Sequence, residues 1–157
     1  MYGSRNTPLA PRGSDPDNSA AGDVLTSLTS AGQVAPNLPR RRVLVADNNP
    51  DLAQVLGEVI CLDESLEFVG FVLSGAAAVK RTQTDVVDVL VLDLGLEDCH
   101  GFDVLDRLRI AGSATKVIVH TGHASAELAE HAKRKGAFAY VVKDGDADAL
   151  LAVIRAA

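Results

Sequence analysis

The sequence has little of what several classes of protein require. Its 157 residues include no tryptophan, one methionine, two cysteines and only 4% aromatic residues. Cys61 and Cys99 form no CxxC pair, which argues against a disulfide framework or a zinc knuckle, so we expect reduced thiols. No apolar run approaches the ~20 residues that span a bilayer, and the N-terminus lacks the pattern of a signal peptide. We therefore expect a cytoplasmic protein with no membrane partner.

Further absences narrow the class of protein. No internal repeat is visible, which excludes solenoids and propellers. The chain is too short for a barrel enzyme of about 250 residues. No GxGxxG motif follows the first apolar run, so a dinucleotide-binding domain is disfavoured. One compact domain remains the natural interpretation.

The chain divides near residue 40. Five of its six prolines lie in the first 42 residues, which contain few large apolar side chains, and we predict a disordered N-terminal tail over residues 1–40 and a folded domain over 41–157. Residues 43–157 carry 10 basic and 18 acidic side chains. Because nonspecific nucleic-acid binding depends on neutralising phosphates, this acidic domain is a poor candidate for contacting DNA.

From residue 43, short apolar runs alternate with helical periodicity, the pattern of a parallel sheet whose strands are joined by helices. In the first predicted helix, five apolar residues recur at helical spacing and are expected to face inward: Leu52, Val55, Leu56, Val59 and Ile60. The others are predicted over 75–81 and 102–110, after the cap Ser125, and after the cap Asp146. The predicted strands are 43–46, 68–73, 89–92, 116–120 and 139–142. The fold class is therefore α/β, a doubly wound (βα)5 arrangement around a parallel five-stranded sheet.

Polar residues follow four of the five strands. Asp47 and Asn48 follow the first, Asp93 the third, Thr121 the fourth and Lys143 the fifth. Ligands bind open parallel sheets at the carboxyl ends of the strands, so these side chains should meet. Two carboxylates brought together favour a cation such as Mg²⁺, and a lysine and a hydroxyl supply donors for an anion. This set is suited to accepting a phosphoryl group on a carboxylate.

A second possible metal site lies in the two loops that follow the third and fourth predicted strands. Cys99, His100, His120 and His123 could converge if their two loops are neighbours. They lack the paired spacing of metal ligands, so ordinary loop polar residues are the favoured explanation.

Four segments resemble the receiver domain of bacterial response regulators, which has the flavodoxin-like fold. They read VLVADNNPD over 43–51, VLVLDLGLEDCHG over 89–101, VIVHTGH over 117–123 and AYVVKD over 139–144. Each motif is weak alone, but all occur in order and together cover the predicted domain.

The resemblance implies a role for each matching residue. Asp93 would accept a phosphoryl group from a sensor histidine kinase or a histidine phosphotransfer protein, and Lys143 and Thr121 would hold the phosphoryl oxygens. Mg²⁺ would be the cofactor, bound by Asp47, Asp93, the carbonyl of Gly95 and, weakly, Asn48. Thr121 and Tyr140 would form the conformational switch.

The sequence also carries expectations about output. Because no further domain follows the fifth predicted helix, we expect a stand-alone response regulator without a DNA-binding domain. It would signal through a downstream protein partner, with a phosphorylation-dependent homodimer as a further option. Such a protein is no enzyme beyond its own phosphorylation and dephosphorylation. The alternative is a phosphate-independent interaction module, which Asn48 favours because it stands where the family usually has a carboxylate.

Overall fold

A computed structural model describes residues 39–157. The predicted disordered tail, residues 1–40, lies outside this range except for Pro39 and Arg40, and remains a prediction. No helix in the described range is long and apolar enough to cross a membrane. The elements are β1 (Arg41–Ala46), α1 (Pro50–Cys61), β2 (Leu66–Val72), α2 (Gly75–Thr84), β3 (Val89–Leu92), α3 (Gly101–Ile110), β4 (Lys116–Thr121), α4 (Ala126–Arg134), β5 (Ala139–Val142) and α5 (Ala147–Ala156).

The five strands form one parallel sheet in the order β2-β1-β3-β4-β5, which confirms the predicted (βα)5 architecture. Two apolar clusters cover its faces. One packs α1 and α5 on the sheet, and the other packs α2, α3 and α4 on the opposite face. The central strand β3 is buried along its whole length, as expected of a strand covered on both sides. Because all five strands are parallel, their carboxyl ends lie along the same edge of the sheet.

Polar side chains fix where the helices begin. The predicted caps Ser125 and Asp146 are confirmed, because their side chains accept hydrogen bonds from Leu128 N and Ala149 N. Asn49 caps α1 by accepting from the backbone of Asp51 and Leu52. Helix α1 thus starts directly after the polar residues that follow β1.

The predicted inward stripe of α1 is wrong at one position. Val55 is 53% exposed, whereas the buried residues of the helix are Ala53, Leu56, Gly57 and Ile60. The helix is rotated so that Gly57 faces β2, where a Cβ would lie 2.4 Å from Cε1 of Phe68. The close approach of Gly57 to this aromatic ring determines which face of α1 is buried. The spacing of apolar residues in the sequence does not encode this contact.

Gly57→Ala is therefore expected to destabilise the domain. The added methyl group would overlap the Phe68 ring, and we expect a loss of about 1 to 2 kcal/mol in the free energy of unfolding, although alanine favours helix over glycine. Urea denaturation measures the change. The double variant Gly57→Ala/Phe68→Leu should recover part of the loss, and a more stable single variant would contradict the packing described.

An ion pair joins the segment that follows α1 to α5. Arg155 Nε lies 2.5 Å from Asp63 Oδ2, and hydrogen bonds from Ser65 together with Arg155 lower the pKa of Asp63 to about 2. Since the folded pKa is lower than the ordinary value of 3.8, the contribution to stability is present above about pH 4 and is lost as the pH falls toward 2. We expect Asp63→Asn to flatten the acid limb of the stability profile between these pH values. An unchanged slope in thermal melts across that range would contradict this assignment.

Candidate functional site

The ends of β1, β3 and β5 bring two carboxylates and an ammonium together. Lys143 Nζ lies 2.7 Å from Asp47 Oδ2 and 3.2 Å from Asp93 Oδ1. Asp47 is 1% exposed and Asp93 is 7% exposed. The three residues lie far apart in sequence, so the contact is made by the sheet alone.

Backbone hydrogen bonds continue the strand pairing into this cluster. Asp93 N donates to Ala46 O at 2.8 Å, and Asp47 N donates to Val72 O at 3.1 Å. Lys143 N donates to Thr121 O at 2.8 Å. Each of these three candidate side chains is therefore held on an extension of the rigid sheet, which fixes their spacing.

The charges of the cluster do not balance. One ammonium faces two buried carboxylates, which leaves one net negative charge in a poorly solvated place. His120, buried on β4, does not compensate for it, because burial and the positive charge of Lys143 lower its pKa and favour the neutral form. The cluster is suited to a further cation.

The donor set fits Mg²⁺, which proteins often bind through one or two carboxylates and waters. Asp47 and Asp93 supply the carboxylates, and Gly95 lies close enough that a Cβ there would be 3.3 Å from Asp93 Oδ2. Asn48 is exposed and directly follows Asp47 in the sequence. Residues 39–157 contain no metal-binding group of three or more His, Cys, Asp or Glu side chains. Within that range, Cys99, His100, His120 and His123 thus form no metal-binding cluster.

Thr121 and Tyr140 both contact the loop between β4 and α4. The hydroxyl of buried Thr121 accepts a hydrogen bond from His123 N at 3.4 Å, and the Tyr140 hydroxyl donates to His123 O at 2.6 Å. Burial also raises the pKa of Tyr140. Its hydroxyl is therefore bonded to the protein, and the two residues expected to form the switch meet at one backbone position.

From the sequence, His120 is considered only within the disfavoured metal site, and Asp98 has no expected role. His120 has a buried Nδ1 without a hydrogen-bond partner among the described residues, and its place inside the apolar run of β4 is a sequence signal of that burial. Asp98 binds the first residues of α2. No local signal marks Asp98, because its partners lie more than 20 residues earlier in the chain.

Comparison with known protein families identifies the domain that has this fold and acidic site. The response regulator receiver domain matches residues 43–155, and the chain belongs to this family. Receiver domains are signalling proteins of two-component systems. The resemblance found in the sequence is thereby confirmed.

Individual relatives agree with this assignment. The chain is 31% identical over 114 residues to the uncharacterised transcriptional regulatory protein YvfU of Bacillus subtilis, covering 73% of this chain and 57% of that protein. It is 30% identical over 115 residues to the nitrate/nitrite response regulator protein NarP of Escherichia coli, covering 73% and 54%. The solved signal receiver domain of a Vibrio parahaemolyticus protein described as a LuxO repressor has a TM-score of 0.70 and 31% identity, over 74% of this chain and 88% of that one. The chain spans about half the length of the curated relatives it matches.

The expectation of a stand-alone protein without a DNA-binding domain is contradicted by these relatives. YvfU is named a transcriptional regulatory protein and extends well beyond the matched part. A DNA-binding response regulator of the LuxR family from Staphylococcus aureus shares the fold, with a TM-score of 0.69 and 24% identity over 74% of this chain and 97% of that one. A receiver is a separable module whose sheet is complete at α5, so the end of the matched fold says nothing about the output to which it is joined.

Proposed function

We propose that this protein accepts a phosphoryl group on Asp93 from the phosphohistidine of a sensor histidine kinase or a histidine phosphotransfer protein. The contact of Lys143 with both Asp47 and Asp93 is the observation that carries the proposal. It places a nucleophilic carboxylate beside a cation that can stabilise the transferred oxygens. Phosphoryl transfer depends mainly on such positioning and charge neutralisation.

In the proposed reaction, a carboxylate oxygen of Asp93 attacks phosphorus. The new P–O bond forms as the P–N bond to the donor imidazole breaks, and the imidazole leaves with the electron pair and is protonated by solvent. Lys143 moves from Asp93 to a phosphoryl oxygen, and the Thr121 hydroxyl donates to another. When bound, Mg²⁺ would neutralise charge on the transferred oxygens, and Asp47, Asp93 and the Gly95 carbonyl would hold it, with Asn48 as a weak ligand.

The same residues support a conformational readout. A Thr121 hydroxyl that turns toward the phosphoryl group gives up its bond from His123 N. The space that Thr121 vacates admits the Tyr140 side chain, and its rotation breaks the bond from the Tyr140 hydroxyl to His123 O. The β4–α4 loop then loses both bonds, and the surface of α4, β5 and α5 changes. The transcriptional regulatory relatives support a role for this change in controlling transcription. A cytoplasmic location remains a prediction.

Intact mass spectrometry after incubation with acetyl phosphate tests the proposal directly. We expect a gain of one phosphoryl group with Mg²⁺ and none after chelation with EDTA. If the mass does not change at saturating Mg²⁺, binding of beryllofluoride distinguishes rapid hydrolysis from an inactive acceptor. No labelling and no beryllofluoride binding would support the phosphate-independent interaction module instead.

A further inference from the structure

The β3–α3 loop, residues 93–100, is closed at its base. Gly101 N donates to Leu94 O at 3.0 Å. A Cβ on Gly101 would lie 2.6 Å from the carbonyl oxygen of Asp93, so only glycine lets α3 begin this close to the acceptor residue. The loop leaves the sheet at Asp93, and the chain is again in contact with Asp93 eight residues later, at Gly101.

The far side of the loop is bound to α2 by Asp98. Its Oδ1 accepts from Gly75 N at 2.7 Å, and its Oδ2 accepts from Ala76 N at 2.9 Å. These two backbone donors lower the pKa of Asp98, so the carboxylate is charged at neutral pH. The next N–H, of Ala77, is taken by the side chain of Ser74 at 3.2 Å. Helix α2 is thus capped by its own serine and by a carboxylate from another loop.

Close packing reinforces this connection. A Cβ on Gly75 would lie 2.3 Å from Cys99 Sγ and 2.7 Å from Val104 Cγ2. The first residue of α2 is therefore pressed against the end of the β3–α3 loop, and Asp98 can reach two N–H groups only because residue 75 has no side chain. The position of the loop depends on α2.

Gly95 lies between these attachments. It is exposed, while its neighbours Leu94 and Leu96 are buried and point into the core. Burial of the two leucine side chains limits how far the chain moves on either side of Gly95, but it does not fix the direction of the Gly95 carbonyl, because the glycine dihedrals between them are free to turn. The hydrogen bonds of Asp98 anchor the loop three residues beyond Gly95, where the chain is exposed at residues 97 and 98.

We propose that Asp98 is a positioning residue that sets the Mg²⁺ affinity of the site by holding the β3–α3 loop, and with it the Gly95 carbonyl, against the N-terminus of α2. The inference rests on the proposed function, since that function supplies the metal. Groups that orient metal ligands commonly change metal affinity when removed, although they do not touch the ion. Asp98 acts in this way through backbone placement.

Calorimetric titration of the full chain with Mg²⁺ tests the inference. We expect Asp98→Ala to weaken Mg²⁺ binding by about ten-fold, the lower end of the range for residues that support metal ligands. Asp98→Asn retains one acceptor oxygen and should fall between Asp98→Ala and the wild type. Ser74→Ala is the matched control, because it removes a cap from the same helix end without touching the loop, and its Mg²⁺ affinity should stay within about two-fold of the wild type.

A second measurement separates positioning from general destabilisation. Hydrogen exchange should show faster amide exchange over residues 94–100 in Asp98→Ala but not in Ser74→Ala, at the same temperature and without Mg²⁺. If Asp98→Ala does not fold, the inference is tested by comparing the Mg²⁺ affinities of the wild type and Asp98→Asn, of which the wild type should bind more tightly. The inference is overturned if wild type, Asp98→Asn and any folded Asp98→Ala bind Mg²⁺ with equal affinity. It is also overturned if Ser74→Ala weakens Mg²⁺ binding as much as the Asp98 variants do, or if the wild type binds no Mg²⁺. A wild type that binds Mg²⁺ but neither gains a phosphoryl group nor binds beryllofluoride overturns the proposed function alone, because the affinity comparison still stands.

Discussion

Asp93→Asn is expected to abolish the gain of an acid-labile phosphoryl group from acetyl phosphate. The amide is a far weaker nucleophile than the carboxylate and cannot form the acyl phosphate. The side chain keeps its shape, and one of two crowded negative charges disappears, so the fold should persist with stability equal to or above the wild type. Intact mass and urea denaturation on the same samples measure both effects.

Asp103→Asn provides the control for this substitution. Asp103 lies in the first turn of α3, close in sequence to Asp93, but it is exposed. Its variant loses the same charge and should be labelled like the wild type. Labelling of Asp93→Asn at the wild-type level would show that another residue accepts the phosphoryl group.

Lys143→Met is expected to cause the largest loss of stability among the site variants. Methionine replaces most of the aliphatic chain but leaves Asp47 and Asp93 buried without a counter-charge. Removing one partner of a buried ion pair is costly, and because Lys143 is partly solvated we expect a loss of about 2 to 3 kcal/mol at neutral pH. Mg²⁺ should restore part of this loss, since a cation bound by the two carboxylates would compensate their charge.

Urea denaturation at neutral pH, with and without Mg²⁺, measures both effects. Lys80→Met is the control, because Lys80 is exposed on α2 and its loss should change stability by less than about 0.5 kcal/mol. A similarly small change in Lys143→Met would show that the observed ion pairs contribute little.

Much of the site could be predicted because strand ends obey a simple rule. Asp47, Asp93 and Lys143 each follow an apolar run, and parallel strands present their carboxyl ends at one edge. The helix caps Ser125 and Asp146 were equally accessible, since capping depends on neighbours within four residues. These features depend on local pattern and on one topological rule.

Other features depended on contacts between segments distant in sequence. Val55 was assigned to the buried face of α1, but the fit of Gly57 against the Phe68 ring turns it outward. The partner of the Tyr140 hydroxyl lies 17 residues away on a loop. The proposed role of Asp98 depends on its hydrogen bonds to the N-terminus of α2. No motif near Asp98 predicts these bonds.

The sequence by itself therefore determined the (βα)5 fold, the family and the set of polar residues at the edge of the sheet. Alternating periodicities and residue types after each strand carry that information locally. Only the tertiary structure decided that one ammonium bridges two buried carboxylates, that Thr121 and Tyr140 converge on His123, and which face of α1 is buried. These outcomes arise from close packing and charge compensation between distant segments, which are settled only when the whole domain has assembled.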